Sequence, residues 1–360
     1  MEIDEKIADF LEEKAKLIDS YIEKYLPRKF SEDSLTFEIS PPRYSLDLKA
    51  LNKAVAEPFW EFLDRGGKRW RPALFLLICE ALGADPKEFL DFAVIPEIIH
   101  NGTLIADDIE DQSDLRRGKP CTFRLFGLDI AVNLSNLMFF LPMLTLIINK
   151  KKISPEKANK VYEIYVKEMV NLSLGQAIDI AWHRGLISPY EISEQQYLQM
   201  CLFKTGTLAR MAAKMACVLT GADEKILEKM GRFAESLGVA FQIQDDILDL
   251  IGEEFAKGKG GLGKDITEGK LTLMVIHTLQ NAEDYDRQRL IQILEAHTRD
   301  GQQRREAISI IKKYGSIEYA KKIAADMVKD SWGEADMVLP PSEAKKKLRK
   351  LANYLIERKI

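Results

Sequence analysis

The chain is poor in cysteine, with four in 360 residues: Cys79, Cys121, Cys201 and Cys217. No pair has CxxC spacing and no histidine is close to one in sequence, which excludes a zinc ribbon or a disulfide framework and points to a reducing compartment. Histidine is equally scarce, with four residues. No Ser-His-Asp or Cys-His arrangement stands out. A basic surplus is also missing: 52 Lys and Arg face 56 Asp and Glu, a formal net charge of −4. That balance argues against nucleic acid as a partner. The most apolar run, Leu137 to Ile148, is interrupted by Pro142 and Thr145 and is shorter than the ~20 residues a bilayer-spanning helix needs. It reads as a buried core helix. The N-terminus, MEIDEKIADFLEEK, is acidic and amphipathic, which is neither a signal nor a transit peptide. These features predict a soluble, cytoplasmic protein.

What is present is helical periodicity. Ile3, Ile7, Phe10, Leu11, Ile18, Ile22 and Leu26 follow three- and four-residue spacing until Pro27 stops it. Residues 27–46 form a long connection. Helical patterns resume near Asp47 and after Pro72. One helix is predicted from Pro86 to Asp111, kinked at Pro96. Others are predicted at 129–149, 154–183, 191–220, 224–253, 267–281, 285–297, 303–332 and 342–358. Residues 255–265, FAKGKGGLGKD, form a glycine-rich loop. No window shows the two-residue alternation of a strand, and no internal repeat is seen. The expected fold is all-α: a single large helical bundle, residues 1–360 as one domain, with the N-terminal helix and the 27–46 connection preceding the core.

The strongest chemical signal is Asp107-Asp108-Ile109-Glu110-Asp111. On a helix the three aspartates share one face, where their like charges repel unless a cation sits among them. The pattern recurs at Asp245-Asp246-Ile247-Leu248-Asp249. Hard oxygen ligands in this number suit Mg²⁺, which commonly bridges carboxylates to substrate phosphates. A single cluster is as easily a solvated acidic helix end. Two copies, each in an apolar helical context, favour the metal.

A metal-loaded site for an anionic substrate also needs arginine and lysine. They occur in GGKRWRP at 66–72, in Arg116-Arg117-Gly118 just after the first cluster, in Lys204-Thr205, and in Gly263-Lys264-Asp265 and Gly269-Lys270 after the second. Arginine offers a planar fork to phosphate oxygens and lysine a point charge.

Together with EIIH at 97–100, GQAID at 175–179, KTGTL at 204–208 and FQIQDDILD at 241–249, these motifs resemble those of the trans-isoprenyl diphosphate synthases, the polyprenyl synthetase family, and in particular its geranylgeranyl diphosphate synthases. The likeness spans residues 60–275, in the family's order. It implies an all-α isoprenoid synthase fold around a deep central cavity, usually as a homodimer. It also implies a reaction: an allylic diphosphate ionises, the double bond of isopentenyl diphosphate attacks the cation, a proton leaves, and the chain gains one C5 unit. By motif, Asp107, Asp108, Asp111, Asp245, Asp246 and Asp249 are implied Mg²⁺ ligands, with about three ions per site. Arg116 and Lys264 are implied partners of the allylic diphosphate. Lys68, Arg71, His100 and Arg117 are implied to bind isopentenyl diphosphate, and Lys204, Thr205 and Gln242 to flank the developing cation. Lys270 and Gln176 are further candidates. His183, His277 and His297 have no motif context and read as structural. The sequence departs from the family at Ser135-Asn136, where Gly-Asp is frequent, at Ala106, where histidine is frequent, and in KLTLM, which lacks the usual prolines.

Product length in this family is set by bulky residues beneath the first cluster. A helical turn rises about 5.4 Å, close to one prenyl unit. The residues one turn below Asp107 are Gly102 and Thr103, so no aromatic floor is expected there and the product should be C20 or longer. Phe139 and Phe140 offer a deeper floor. On this reading Gly102→Phe should shorten the product. Two alternatives share parts of the pattern. A class I terpene cyclase has the fold and one cluster but typically lacks GGKRWRP. A non-catalytic partner subunit of a synthase usually loses aspartates or the Lys-Thr pair. The C-terminal SEAKKKLRKLANYLIERKI is basic and amphipathic, so Leu348, Leu351 and Leu355 could meet an anionic bilayer peripherally. Packing on the bundle is the favoured role for that face.

Overall fold

The structure, a computed structural model, describes residues 2–32, 34, 42–252 and 261–356. Residues 33 and 35–41 of the 27–46 connection, and residues 255–260 of the glycine-rich segment, lie outside the described residues. Helix α1 spans Glu2–Ile22, and a helical run covers residues 48–63. Then come α2 (Trp70–Ala81), α3 (Leu90–Glu110), α4 (Leu128–Phe140) and α5 (Pro155–His183). They are followed by α6 (Glu194–Cys201), α7 (Thr207–Thr220), α8 (Glu224–Ile251), α9 (Lys264–Glu268) and α10 (Leu273–Asn281). The last are α11 (Asp284–Glu295), α12 (Gly301–Lys313), α13 (Ser316–Asp336) and α14 (Glu343–Ile356).

The chain forms two compact units. One comprises Met1–Tyr165, Met211–Glu228 and Leu339–Leu351; the other comprises Val166–Arg210, Lys229–Val338 and Ala352–Ile360. In the first unit the apolar stripe of α1 (Ile7, Leu11, Ile18, Ile22) is buried, and α1 packs on α2 and α3. Helix α3 lies close along α4. The contact is closest at Gly102, where an added Cβ would stand 2.9 Å from Met138 Cβ and 3.2 Å from Phe139 Cε1. Ser135 Oγ donates to the Gly102 carbonyl at 3.0 Å. In the second unit α10 packs on α12 and α13. A capping box opens α6: Ser193 accepts from the Gln196 amide and the Gln196 side chain accepts from the Ser193 amide. Two orphan helix-end donors are satisfied reciprocally.

Several boundaries differ from the sequence expectation. The predicted 303–332 helix is two helices, because Gly315 takes φ +65°, a conformation that ends one helix and restarts the next. The predicted 191–220 helix contains a π-helical turn at Leu202–Gly206. Two short strands, β1 (Leu115–Arg116) and β2 (Lys119–Pro120), pair antiparallel. Arg117 (φ 53°) and Gly118 (φ 75°) join them, the positive-φ pair that a two-residue type I′ hairpin turn requires.

Two helical runs are long and apolar enough to cross a membrane by length and composition: Pro86–Glu110, 72% buried within the protein, and Leu128–Ile148, 44% buried. The second is wetter than a core helix should be, since Leu128, Val132 and Phe140 are exposed. A 3₁₀ turn at Leu141–Met143 interrupts it at Pro142. On α14, Leu348, Leu351 and Leu355 are each 0% exposed. The protein's own core covers the leucine face once available for a bilayer.

Candidate active site

In the first unit, α3 carries Asp107 and Asp108 in its last turn, and Asp111 caps it. The β1–β2 hairpin folds Arg116 back onto them. Arg116 Nε and Nη2 donate to Asp108 Oδ1 at 2.8 and 2.5 Å, and Nη2 to Asp107 Oδ2 at 3.4 Å. Arg65 clamps the hairpin, donating to the Arg116 and Pro120 carbonyls at 3.3 and 2.9 Å while Glu61 pairs with it at 2.6 Å. Burial pushes the Asp108 carboxyl up and the Arg116 guanidinium opposes that shift. Asp108 Oδ2 is buried without a hydrogen-bond partner.

The GGKRWRP segment builds a second cationic layer in the same unit. Arg69 adopts φ 46° and is buried in ion pairs with Asp19 (3.0 Å) and Glu97 (3.1 Å). It therefore anchors the segment. Arg117 Nη1 donates to the Gly66 carbonyl. Gly67 takes φ +143°, a conformation L side chains rarely adopt, and a Cβ there would stand 2.7 Å from Arg69 Nη1 and 3.0 Å from Arg117 Nη2, so both guanidiniums reach this glycine. Arg71 is buried, stacked 4.5 Å over Trp70, and Lys68 is half-buried. Burial and the positive charges of Arg71, Arg117, Arg69 and Arg116 hold His100 well below its usual pKa, hence neutral. Arg117 is lowered to about 10 by burial and by Arg69, partly offset by Glu97. Burial is the larger cause of both shifts, and the neighbouring guanidiniums add to it, so this layer gathers positive charge that can meet an anion.

The second unit holds the other cluster on α8. Asp246 Oδ2 accepts from the Tyr197 hydroxyl and Oδ1 from Gln242 Nε2, each at 2.7 Å. Thr205 Oγ1 donates to Gln242 Oε1 at 2.9 Å. Burial and the nearby Asp265 carboxylate raise Asp246 to about 7. Asp249 is 1% exposed. It accepts from the Lys264 and Asp265 amides at 3.2 and 3.0 Å, and so also caps α9. Asp245 is half-buried. Lys204 pairs with Asp179 at 2.6 Å. Glu268 bridges Lys264 (3.0 Å) and Lys270 (2.7 Å). Burial pushes Glu268 up, but the two lysines outweigh it and leave it at about 2. His183, read from sequence as structural, is electrostatically close to Asp179, Lys270, Lys204 and Glu268.

Glycines also permit the backbone crossings of this unit. A Cβ on Gly175 would stand 2.4 Å from the Lys204 amide nitrogen, and one on Gly238 would stand 2.8 Å from Gly206 Cα. Helices α5 and α8 therefore press against the π turn that carries Lys204 and Thr205. Single π turns inside helices recur at functional sites.

Part of the predicted set is thus brought together: Arg116 with Asp107 and Asp108 and the arginines near His100 in the first unit, and Thr205, Gln242 and Asp246, and Lys264 with Lys270 through Glu268, in the second. The sequence reading missed Arg65 and Tyr197, and gave no role to Glu97, Asp179 and Glu268, which stand inside the motifs it recognised. Glu268 was findable, since it stands four residues from Lys264 in a helical stretch. Nothing in sequence marks Tyr197. Gly102 is reassigned: Met138 and Phe139 fill the space a side chain there would enter, so its small size serves the α3–α4 contact. Thr103 is half-buried, with its hydroxyl on the His100 carbonyl at 2.7 Å.

Among the described residues, no three His, Cys, Asp or Glu side chains are gathered tightly enough to hold an ion as they stand. Arg116 occupies Asp107 and Asp108, and backbone amides occupy Asp249. The donor chemistry nonetheless fits a hard cation. Asp108 Oδ2 is buried without a hydrogen-bond partner, and Asp246 is a buried carboxyl beside a second carboxylate.

An all-α fold with two aspartate-rich helices, each accompanied by basic motifs, defines the class: an isoprenoid-synthase fold. The polyprenyl synthetase family profile matches residues 52–311, and the chain belongs to that family, whose enzymes use Mg²⁺. It is 35% identical over 296 residues to a short chain isoprenyl diphosphate synthase of Methanothermobacter thermautotrophicus, covering 82% of this chain and 88% of that one. It is 30% identical to a geranylgeranyl diphosphate synthase of Methanosarcina mazei, covering 82% and 87%. Among solved structures, a geranylgeranyl pyrophosphate synthetase from Pyrococcus horikoshii superposes with a TM-score of 0.84 at 34% identity over 99% of both chains.

Proposed function

We propose that this chain condenses isopentenyl diphosphate with an allylic diphosphate to give an all-trans polyprenyl diphosphate, geranylgeranyl diphosphate (C20) foremost. The observation that carries the reading is the convergence of Arg71, Arg116 and Arg117 around a neutral His100 beside the first aspartate cluster. Family membership and the relatives' activities point the same way.

In this reading Asp107, Asp108 and Asp111 in the first unit, and Asp245, Asp246 and Asp249 in the second, would hold Mg²⁺. Bound Mg²⁺ supplies Lewis-acid charge to the departing diphosphate. Arg116, Lys264 and Lys270 bind diphosphate oxygens, and Lys204 stands with Thr205 and Gln242 beside the developing cation. The present partners Asp107, Asp108 and Glu268 keep the first three ordered until the anion replaces those contacts, and Asp179 keeps Lys204 ordered. Lys68, Arg71, His100 and Arg117 bind isopentenyl diphosphate. Neutral His100 adds hydrogen-bonding capacity without a further positive charge. The Thr205 and Gln242 dipoles, fixed by their mutual hydrogen bond, face the developing cation and need no reorganisation as charge appears.

The full chain is proposed to work as one catalytic domain and as a homodimer in the cytoplasm. Support for the dimer is the exposed apolar face of α4 at Leu128, Val132 and Phe140. Support for a reducing compartment is that all four cysteines are free and buried. The decisive experiment incubates the purified protein with isopentenyl diphosphate, Mg²⁺ and each of the C5, C10 and C15 starters, and measures product length. Elongation to C20 is expected. No elongation from any starter, or nothing beyond C15, overturns the reading. Thr103→Phe should shorten the product, whereas Gly102→Phe should chiefly disturb the α3–α4 packing.

A further inference from the structure

Tyr197 is 1% exposed, and its ring would pack as well without a hydroxyl. A buried hydroxyl is costly unless bonded, and this one donates to Asp246 Oδ2 at 2.7 Å. The opposite oxygen of the same carboxylate is held by Gln242 Nε2 at 2.7 Å. Each oxygen of Asp246 thus has one neutral donor, one from α6 and one from α8 itself. The terminal torsion of aspartate is soft and roughly two-fold, so its carboxylate plane turns unless both oxygens are restrained. Gln242 shares the helix of Asp246, one turn away, and moves with it. Tyr197 alone of the two fixes the carboxylate relative to another helix. It lies too deep to touch substrate.

We propose that Tyr197 is a positioning residue that holds the Asp246 carboxylate in the orientation that receives Mg²⁺. This rests on the reading of Asp246 as a metal ligand. Groups that orient metal ligands typically change metal affinity by about 10- to 100-fold when removed.

The test uses the full chain and Tyr197→Phe, which removes only the hydroxyl, with Asp246→Asn as the reference. Mn²⁺ with inorganic diphosphate is the probe, and binding is read by electron paramagnetic resonance. A metal-free melting curve verifies folding. Tyr197→Phe should weaken Mn²⁺ binding about tenfold. The Mg²⁺ concentration giving half-maximal rate should rise by a similar factor, more than kcat falls. A merely structural tyrosine would lower the melting temperature without moving metal affinity. Binding within twofold of the parent, while Asp246→Asn loses it, overturns the proposal and leaves the metal assignment standing. Parental binding in both variants removes Asp246 from the metal site and overturns both.

Discussion

Asp108 and Asp246 occupy the same place in two DDxxD sequences, yet their buried charge is handled by different means. Asp108 has a built-in counterion, Arg116, at 2.5 Å. Asp246 has neutral donors, Tyr197 and Gln242, and a second carboxylate nearby that helps raise it to about 7. A buried charge is tolerable when paired and costly when not. Arg116 therefore offsets part of the first cluster's charge before any metal arrives, whereas neutral donors leave more of the second's for a metal to offset. An identical motif specifies the ligand type, while the surrounding helices decide how strongly each copy demands a cation.

The largest expected effect separates activity from stability. Asp108→Asn and Asp246→Asn should each lower kcat/KM by about 10²–10³, the range typical of losing one electrostatic contributor to a transition state. Their metal-free stabilities should diverge. Asp108→Asn strands Arg116 and should cost roughly 3 kcal/mol, as breaking a buried pair does. Asp246→Asn removes a buried carboxylate held by neutral donors, on which burial and Asp265 outweigh Lys270, and should leave stability unchanged or higher. Urea denaturation of both variants in chelator decides it; equal destabilisation would erase the contrast between the clusters.

The next effect is ionic and lies in the second unit, where Glu268 plays for Lys264 and Lys270 the part that Arg116 plays for Asp108. Its carboxyl is lowered from 4.5 to about 2. A lowered folded-state value means its contribution is present above the unfolded value and lost as pH falls through the folded one. Glu268→Gln should therefore cost a stability of order 3 kcal/mol at pH 7. The gap to the parent should close between about pH 4.5 and 2. A gap that persists at the acid end would mean packing, not charge, keeps Glu268 in place.

How much of this was legible in sequence follows from how local each cause is. Helix periodicity reports one face of one element, so α1, α3, α5 and α8 could be read from their apolar spacing. The aspartate and arginine motifs could be read because several residues of one chemistry stand close in sequence. The β1–β2 hairpin was invisible because strands of two residues are too short to alternate, and only Arg117-Gly118 hints at the turn. The π turn at Lys204 arises where Gly175, Gly206 and Gly238 let helices touch, a tertiary cause. Gly102 misled for the same reason: a small residue beneath an aspartate signals either open space or a close helix, and Met138 and Phe139 show that here it is the helix. Tyr197 meets Asp246 across 49 positions of sequence, beyond any spacing rule.

The smallest expected effect tests whether the second cluster depends on several weak neutral contacts where the first depends on one strong pair. Thr205 Oγ1 donates to Gln242 Oε1 at 2.9 Å, which turns the Gln242 N–H₂ toward Asp246. The oxygen and nitrogen ends of an amide have nearly the same shape. Without the threonine hydroxyl, the amide can flip and present its oxygen to the carboxylate. A neutral hydrogen bond contributes a net ~1 kcal/mol, so Thr205→Val should raise the Mg²⁺ concentration for half-maximal rate by about fivefold. Thr205→Ser keeps the donor and should leave that concentration near the parent's, even if loss of the methyl group alters kcat. Equal shifts in Val and Ser variants would assign the effect to packing. A shift with Val alone would show that the orientation of the Gln242 amide, set one contact further out, reaches the carboxylate that the metal needs.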